Sequence, residues 1–179
     1  GAGVVLAALS VVAGILAARH ATFPGDARVS AAVRGLGGAF APVAYVFNEL
    51  NVAITVIVLV GTVIALLARR RSDFALVIGM LVMLRPLLSI AKAWVGRQRP
   101  SGDFEMLDVV TNSSFPSGHV MTSVVTWVPL LLFARVLVPP RLVWPLRAVA
   151  GGAVVLTAVS RMWAGVHWFS DTWGGVLWA

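Results

Sequence analysis

Apolar runs of about the length that crosses a lipid bilayer dominate this chain. Six candidate runs are separated by short polar segments: 4–18, 40–67, 74–94, 120–138, 142–159 and a last run from 169 onward. A helix needs about 20 mostly apolar residues to cross the hydrocarbon core, so we expect the first run to lack its start and the last to be cut off. Apolar residues make up 59% of the chain and charged residues 12%, whereas a soluble domain carries about 25% charged residues. The pattern predicts an all-α polytopic membrane protein: a single domain, 1–179, built as a six-helix transmembrane bundle with a truncated last span.

The segment between the first two runs, 19–38, mixes charged and apolar residues. Asp26 is placed to cap a short helix, whose apolar face would comprise Val29, Ala32 and Val33. Such a helix suits the membrane interface. The sequence therefore predicts a short interfacial helix after the first span, and His20 matches no motif and is expected to be interfacial.

The net charge of +7 does not form a patch suited to a nucleic acid. Basic residues fall in short loops and in polar motifs, and loops rich in Lys and Arg stay in the cytoplasm. The loops at 69–71 and at Arg141 therefore predict a cytoplasmic face. Residues 95–116 and the junction before the last run then share the opposite, extracytoplasmic face of the cell membrane. The chain has no cysteine, which excludes disulfides and thiolate metal sites.

Three polar clusters interrupt the apolar chain at the predicted outer face. The first extends from Lys92 to Pro100, the second is Pro116-Ser-Gly-His, and the third extends from Ser160 to Asp171. The first cluster supplies Lys92 and Arg99 and the third supplies Arg161, and such cations are costly near lipid unless an anion neutralises them. An arginine fork and a lysine ammonium both suit phosphate oxygens.

Ser117 and Gly118 lie where the fourth helix is predicted to begin. Backbone N–H groups and the positive end of the helix dipole form an anion site at such a terminus. Gly118 allows the backbone to approach a ligand closely, and Ser117 can also act as an N-cap. Together with the three cations, this terminus predicts a phosphate-binding site.

Two histidines complete the predicted site. His167 and Asp171 are four residues apart, hence on one face if the sixth helix includes both. Asp171 could then accept the Nδ1 proton of His167 and leave Nε2 free to attack phosphorus. His119 has an unperturbed pKa of about 6.5, which suits proton donation to a leaving alkoxide and later abstraction from water.

The three clusters resemble the motifs of the type 2 phosphatidic acid phosphatase superfamily. Its pattern is K-x6-RP, then PSGH, then SR-x5-H-x3-D, and this sequence matches each motif without a departure, within residues 92–171. The resemblance implies a metal-independent membrane phosphatase without a cofactor, which forms a phosphohistidine on His167 and transfers protons through His119. It also implies a lipid substrate such as phosphatidic acid, phosphatidylglycerol phosphate or a polyprenyl pyrophosphate.

Three other functions and one metal site are alternatives to this hypothesis. A lipid phosphotransferase would replace water with an alcohol, a vanadium-dependent haloperoxidase would be soluble, and an anion transporter would not need both histidines. A metal site at Asp103, Glu105 and Asp108 is disfavoured, because these residues lack the glycine and spacing of a calcium loop. The sequence indicates no oligomeric state.

Two further basic residues, Arg97 and Arg85, are not part of the predicted phosphate site. Arg97 reads as a snorkelling anchor at the membrane surface. Arg85 lies within the third run, where ionisable residues are usually paired. We expect an Arg85–Glu49 ion pair between the second and third spans.

Overall fold

The computed structural model describes residues 1–83, 86–100 and 113–179, although it does not describe the side chains of Ala2 and Leu87. Within these ranges the chain is helical and contains no strand. Its α-helices are α1 (Ala2–Arg19), α2 (Asp26–Arg34), α3 (Ala41–Asn48), α4 (Asn51–Ala68), α5 (Ser72–Met83), α6 (Leu87–Val95), α7 (Gly118–Leu137), α8 (Pro140–Trp163) and α9 (Phe169–Leu177). A single 3₁₀ turn, Gly38–Phe40, precedes α3 in the described chain.

Four helical segments are long and apolar enough to cross a membrane: α4, the segment Ser72–Val95 that carries α5 and α6, α7 and α8. A fifth span results if α2 and Gly38–Asn48, which are bent by 80° against each other, form one broken span. Many apolar side chains point outward, such as Val52 and Ile57 on α4, as expected for a surface that contacts lipid. The all-α membrane architecture is confirmed, whereas the count of six spans is not.

The second apolar run is not one continuous helix. α3 ends at Asn48 and α4 begins at Asn51, so Glu49 and Leu50 lie in a break and are exposed. Asparagine side chains compete with the helix for backbone hydrogen bonds, which favours a break here. Arg85 lies outside the described residues, so the ion pair between Glu49 and Arg85 stays a prediction.

Helix α2 forms as predicted, but its buried face is polar. Its N-cap is Gly25, at a φ of 91°, and Asp26 is the first helical residue rather than the cap. The residues of α2 that are fully buried are Asp26 and Ser30, while Ala32 is exposed. The prediction that Asp26 caps the helix was wrong, because Asp26 turns inward to meet a buried cation described below, whereas the location of α2 in the membrane interface stays a prediction.

Helix α7 lies at the centre of the bundle and packs against α4, α8 and α9. Buried hydroxyls link the helices in its interior, where Thr157 of α8 donates a hydrogen bond to Ser123 of α7 at 3.1 Å. Gly174 and Gly175 allow α9 to approach closely, since a Cβ at Gly175 would lie 2.9 Å from the Cβ of Val120. This packing brings the third polar cluster against the second.

Candidate active site

The second polar cluster forms the beginning of α7. Ser117 is its fully buried N-cap residue, and its N–H donates to the carbonyl oxygen of Asp171 at 3.0 Å. The hydroxyl of Ser117 has no hydrogen-bond partner within the described part of the chain. The predicted helix start is therefore confirmed, and a buried hydroxyl remains available there for a ligand.

The first polar cluster reaches this helix terminus through Lys92, in the last turn of α6. Lys92 is 8% exposed, and its Nζ donates to the carbonyl oxygen of Ser113 at 2.7 Å. A Cβ atom on Gly118 would lie 3.8 Å from Lys92 Cε and 3.1 Å from Leu88 Cδ2. Lys92 therefore lies directly against the N-terminus of α7.

Two arginines make hydrogen bonds around the third polar cluster. Arg99 Nη1 donates to the carbonyl oxygen of Val166 at 2.8 Å, which ties the first cluster to the loop before α9. Arg161, in the last turn of α8, donates from Nη1 to Asn48 Oδ1 at 3.1 Å. Its Nε is buried without a hydrogen-bond partner among the described residues.

The two predicted histidines lie within this group of cations. His167 is 2% exposed in the loop between α8 and α9, and His119 is half-buried in the first turn of α7. The positive charges of Lys92, Arg99 and Arg161 act on both imidazoles, and the two imidazoles act on each other. The structure therefore brings the residues of all three clusters together.

The charge state of His167 follows from this environment. Burial, and then the three neighbouring cations, hold the pKa of His167 well below its ordinary value of 6.5. Burial and like charges both disfavour the protonated imidazole. His167 is therefore a neutral imidazole at physiological pH, which is the form that can act as a nucleophile.

The contact between His167 and Asp171 differs from the prediction. Helix α9 begins at Phe169, so His167 precedes the helix and does not share a face with Asp171. Asp171 Oδ2 accepts the N–H of Trp168 at 2.7 Å and lies 3.6 Å from His167 Nδ1. The two side chains are neighbours, but this distance is too long for a hydrogen bond. Within the described ranges, His167 Nδ1 has no hydrogen-bond partner.

Arg97 is the residue that sequence reasoning placed wrongly. Its side chain is 1% exposed and lies between two buried carboxylates, donating to Asp26 Oδ2 at 2.7 Å and to Asp171 Oδ1 at 2.6 Å. It is not a snorkelling anchor. The sequence did contain a signal for this buried arginine: Asp26 is a carboxylate within apolar segments, and such a carboxylate needs a buried partner.

Metal ligands are not grouped in the chain that the structure describes, where no three His, Asp or Glu residues could hold one ion. Asp103, Glu105 and Asp108 lie outside the described residues. The expectation of a metal-free site therefore stays a prediction.

Residues 72–179 carry the family assignment of the chain. A sequence model of the PAP2 superfamily matches residues 72–179, which is more than half of the chain and includes all three polar clusters. The chain belongs to the PAP2 superfamily. This confirms the resemblance that the three motifs indicated.

Two matches from Bacillus subtilis, one by sequence and one by structure, extend the comparison. Phosphatidylglycerophosphatase B of strain 168 is 35% identical over 105 residues, which cover 54% of this chain and 50% of the relative. The chain thus spans about half the length of this curated relative. The crystal structure of a transmembrane PAP2-type phosphatidylglycerolphosphate phosphatase aligns with a TM-score of 0.67 at 25% identity, covering 97% of this chain and 88% of that one. The PAP2 fold therefore extends through α1–α4 as well as the motif-bearing half.

Proposed function

We propose that this chain is an integral membrane phosphatase that hydrolyses a lipid phosphomonoester or pyrophosphate through a phosphohistidine on His167. The observation that carries the proposal is the convergence of Lys92, Arg99 and Arg161 on two imidazoles at the N-terminus of α7. The proposed lipids are phosphatidic acid, phosphatidylglycerol phosphate and polyprenyl pyrophosphates. The name of the curated relative favours phosphatidylglycerol phosphate among them.

Phosphate binding is supported by groups that come from separate parts of the fold. Lys92 lies on α6, Arg161 on α8 and Ser117 at the start of α7. Because the Ser117 hydroxyl and Arg161 Nε are buried without partners in the described chain, an anion that accepts hydrogen bonds from both would offset the cost of burying them. A phosphoryl group has the charge and the acceptor oxygens for these donors.

The first chemical step is attack by the neutral His167 on phosphorus. A bond forms between Nε2 and phosphorus while the bond from phosphorus to the lipid oxygen breaks, and His119 donates a proton to that oxygen. The cations stabilise the charge on the equatorial oxygens. Asp171 Oδ2, already 3.6 Å from Nδ1, accepts a hydrogen bond from Nδ1–H as the imidazole becomes positive, and the proton stays on Nδ1.

The second step releases phosphate from His167. His119, now neutral, takes a proton from water, the oxygen of that water binds phosphorus, and the bond between Nε2 and phosphorus breaks. General acid–base catalysis of this kind contributes about 10²–10⁴-fold. The enzyme then returns to its starting protonation state, with inorganic phosphate as the product.

A groove beside His119 supports an amphiphilic substrate. It has a volume of about 260 Å³ and runs between α4, α6 and the start of α7. Its lining residues are Asn51, Val52, Thr55, Val56, Leu88, Gly118, His119 and Thr122. The apolar side chains along α4 suit an alkyl chain, while the imidazole and Gly118 lie at the phosphate end. A lipid could therefore occupy the groove with its phosphate at the histidines.

The site is proposed to face the extracytoplasmic side of the cell membrane. Helix α7 begins at Gly118 and ends at Leu137, and Arg69 donates a hydrogen bond to the carbonyl oxygen of Val136 at that far end. The basic loops thus lie at the end of α7 opposite the histidines, and basic loops stay in the cytoplasm. Leu36 precedes Gly37, whose carbonyl oxygen accepts from Trp163 Nε1 at the end of α8 that carries Arg161. Since the chain has no cysteine, single-cysteine variants Leu36→Cys and Arg141→Cys can test this. An impermeant maleimide should label only Leu36→Cys in intact cells, and the reverse would contradict this orientation.

The function is tested by phosphate release from purified chain in detergent, with a chelator present. The panel comprises phosphatidic acid, phosphatidylglycerol phosphate, a polyprenyl pyrophosphate and a lipid-linked phosphosugar. We expect sustained phosphate release with the chelator and none from His167→Ala. A wild-type chain that releases no phosphate from any of them would overturn the proposal, whereas flux of an anion retained by His167→Ala would favour a transporter.

A lipid phosphotransferase is the second candidate, because an alcohol can replace water in the second step. Gly118 and His119 line the groove and are half-exposed, so either water or an alcohol could reach the histidine there. Adding an acceptor alcohol distinguishes the two. A hydrolase keeps releasing phosphate, whereas a transferase converts the acceptor into its phosphate ester.

A further inference from the structure

A buried chain of charges connects α2 to the proposed nucleophile. It runs from Asp26 through Arg97 to Asp171, and their side chains are 1%, 1% and 0% exposed. Asp26 lies at the start of α2, Arg97 follows the end of α6, and Asp171 is in the first turn of α9. Three separate segments therefore meet at one guanidinium.

The hydrogen bonds of Asp26 make it an anchor for Arg97. Asp26 Oδ2 accepts from Arg97 Nη2 at 2.7 Å and from the N–H of Phe23 at 2.8 Å. Ser170 donates its N–H to Asp26 Oδ1 at 2.8 Å and its hydroxyl to Asp26 Oδ2 at 2.7 Å. With four donors, this carboxylate has no freedom to rotate, and it fixes one edge of the guanidinium.

The opposite edge of the guanidinium fixes Asp171. Arg97 Nη1 donates to Asp171 Oδ1 at 2.6 Å, while Asp171 Oδ2 accepts from Trp168 and lies 3.6 Å from His167 Nδ1. Because the two oxygens of Asp171 have different partners, the carboxylate is held in one rotamer. In that rotamer, Oδ2 is the oxygen that faces the imidazole.

We propose that Arg97, anchored by Asp26, is a positioning residue for the phosphatase reaction proposed above: it holds Asp171 so that Oδ2 faces Nδ1 of His167. Arg97 does not touch the substrate. It acts through Asp171, which orients the imidazole and stabilises the positive charge that His167 acquires when Nε2 bonds to phosphorus. The inference rests on the proposed function, and its test separates the two.

Removing the charge of Arg97 would leave two buried carboxylates unpaired, which is strongly destabilising. The variant for the test is therefore Arg97→Lys, which keeps the charge but loses the planar fork that binds both carboxylates. A second variant, Asp26→Asn, keeps the pair between Arg97 and Asp171 and removes only the charged anchor. Arg28→Lys is the matched control, because Arg28 is an exposed arginine on α2.

The measurement is a kinetic cycle of phosphate release with Arg97→Lys, Asp171→Asn and the double variant. We expect Arg97→Lys to lower kcat about tenfold or more while KM stays within about threefold, since positioning acts on the transition state rather than on ground-state binding. In the Asp171→Asn background the same change should lower kcat less than about twofold, because residues that act as a unit are non-additive. Asp26→Asn should show the same pattern, and Arg28→Lys should match the wild type.

Two results would overturn the inference while the wild-type chain is active. One is an unchanged kcat in both Arg97→Lys and Asp26→Asn. The other is an equal loss of kcat in the presence and absence of the Asp171 carboxylate, which is the result expected if Arg97 only joins α2 to α9. An inactive wild-type chain would instead overturn the proposed function.

Discussion

A Cβ atom added to Gly175 would lie 2.7 Å from the carbonyl oxygen of Ser117. Helix α9 therefore rests on the N-terminus of α7 with no room for a side chain between them. The contact places Asp171 and the preceding His167 beside the start of α7, where Ser117 and His119 lie. One glycine thus sets the distance between two of the three polar clusters.

Gly175→Ala should push α9 away from α7. The new methyl would meet a backbone oxygen and the Cβ of Val120, neither of which is the flexible end of a side chain. Overpacking of this kind costs about 1–3 kcal/mol, and we expect phosphate release to fall about tenfold as the two histidines separate. Thermal unfolding and kcat measure the two effects.

Gly151→Ala is the matched control, because a Cβ at Gly151 meets nothing within 4 Å and the residue is inside α8. Replacing glycine by alanine in a helix stabilises by about 0.5–1 kcal/mol, and activity should not change. Equal effects of the two substitutions would contradict the close contact between α9 and α7.

Lys92→Met should weaken the proposed phosphate site. Lys92 is buried against the N-terminus of α7, and losing one donor to a developing oxyanion costs about 10²–10³ in rate. We expect kcat/KM for phosphatidylglycerol phosphate to fall by that factor, while Lys92→Arg retains more activity. Arg141→Gln, at an exposed cation in the first turn of α8, should be silent. A loss of less than about threefold in Lys92→Met would argue against a role in phosphate binding.

His119→Ala should separate the two chemical steps. An alkyl phosphate needs a proton on its leaving oxygen, whereas nitrophenolate leaves without one. With p-nitrophenyl phosphate, we expect the variant to give a burst of nitrophenolate equal to the chain concentration and then slow turnover, since water attack on phosphohistidine has lost its base. Absence of the burst, with His167→Ala as the blank, would remove His119 from the second step.

The pKa of His167 makes stability depend on pH. In the folded chain this pKa lies well below 6.5, whereas in the unfolded chain it is about 6.5. Below that pH the unfolded state binds the proton and the folded state does not, so the free energy of unfolding decreases as pH falls. The linkage amounts to about 1.4 kcal/mol at pH 5.5. His167→Asn should lack this part of the pH dependence, and identical curves for both chains between pH 7 and 5.5 would contradict a neutral buried imidazole.

Val56→Trp should block the groove beside His119. Val56 lines the groove, whereas the neighbouring Ile57 does not and is 71% exposed. We expect Val56→Trp to lower turnover of a long-chain lipid phosphate about tenfold, as one misplaced contact can, and to leave a soluble short-chain phosphate nearly unchanged. Ile57→Trp is the control on the same helix. Equal turnover of both substrates by Val56→Trp would mean that the lipid enters elsewhere.

The motif residues could be brought together from the sequence because helix direction alternates along a membrane chain. Lys92 ends one apolar run, His119 begins the next and Arg161 ends the one after, so all three lie at one end of the bundle. Cations gathered at one end of a membrane bundle then require a shared anion that neutralises them. The PAP2 family could also be identified from the sequence, because each of its motifs is defined by residues that lie close together along the chain.

The network of Arg97 could not be read in the same way. Asp26 and Arg97 are 71 residues apart, and only the packing of α2 against α9 brings them together. The sequence also suggested that Asp26 would cap α2, whereas its carboxylate turns inward to pair with the buried guanidinium. Similarly, four-residue spacing put His167 on a helix that begins only at Phe169. Tertiary contacts decided each of these positions.

The most direct test of the account is to trap the phosphoenzyme. The purified chain is mixed with a ³²P-labelled lipid phosphate, quenched within milliseconds and digested, and the labelled peptide is sequenced. A phosphohistidine mechanism predicts acid-labile, base-stable label on the peptide that contains His167, with no label in His167→Asn. Turnover by the wild type without any labelled protein, or label that persists in His167→Asn, would contradict the central claim.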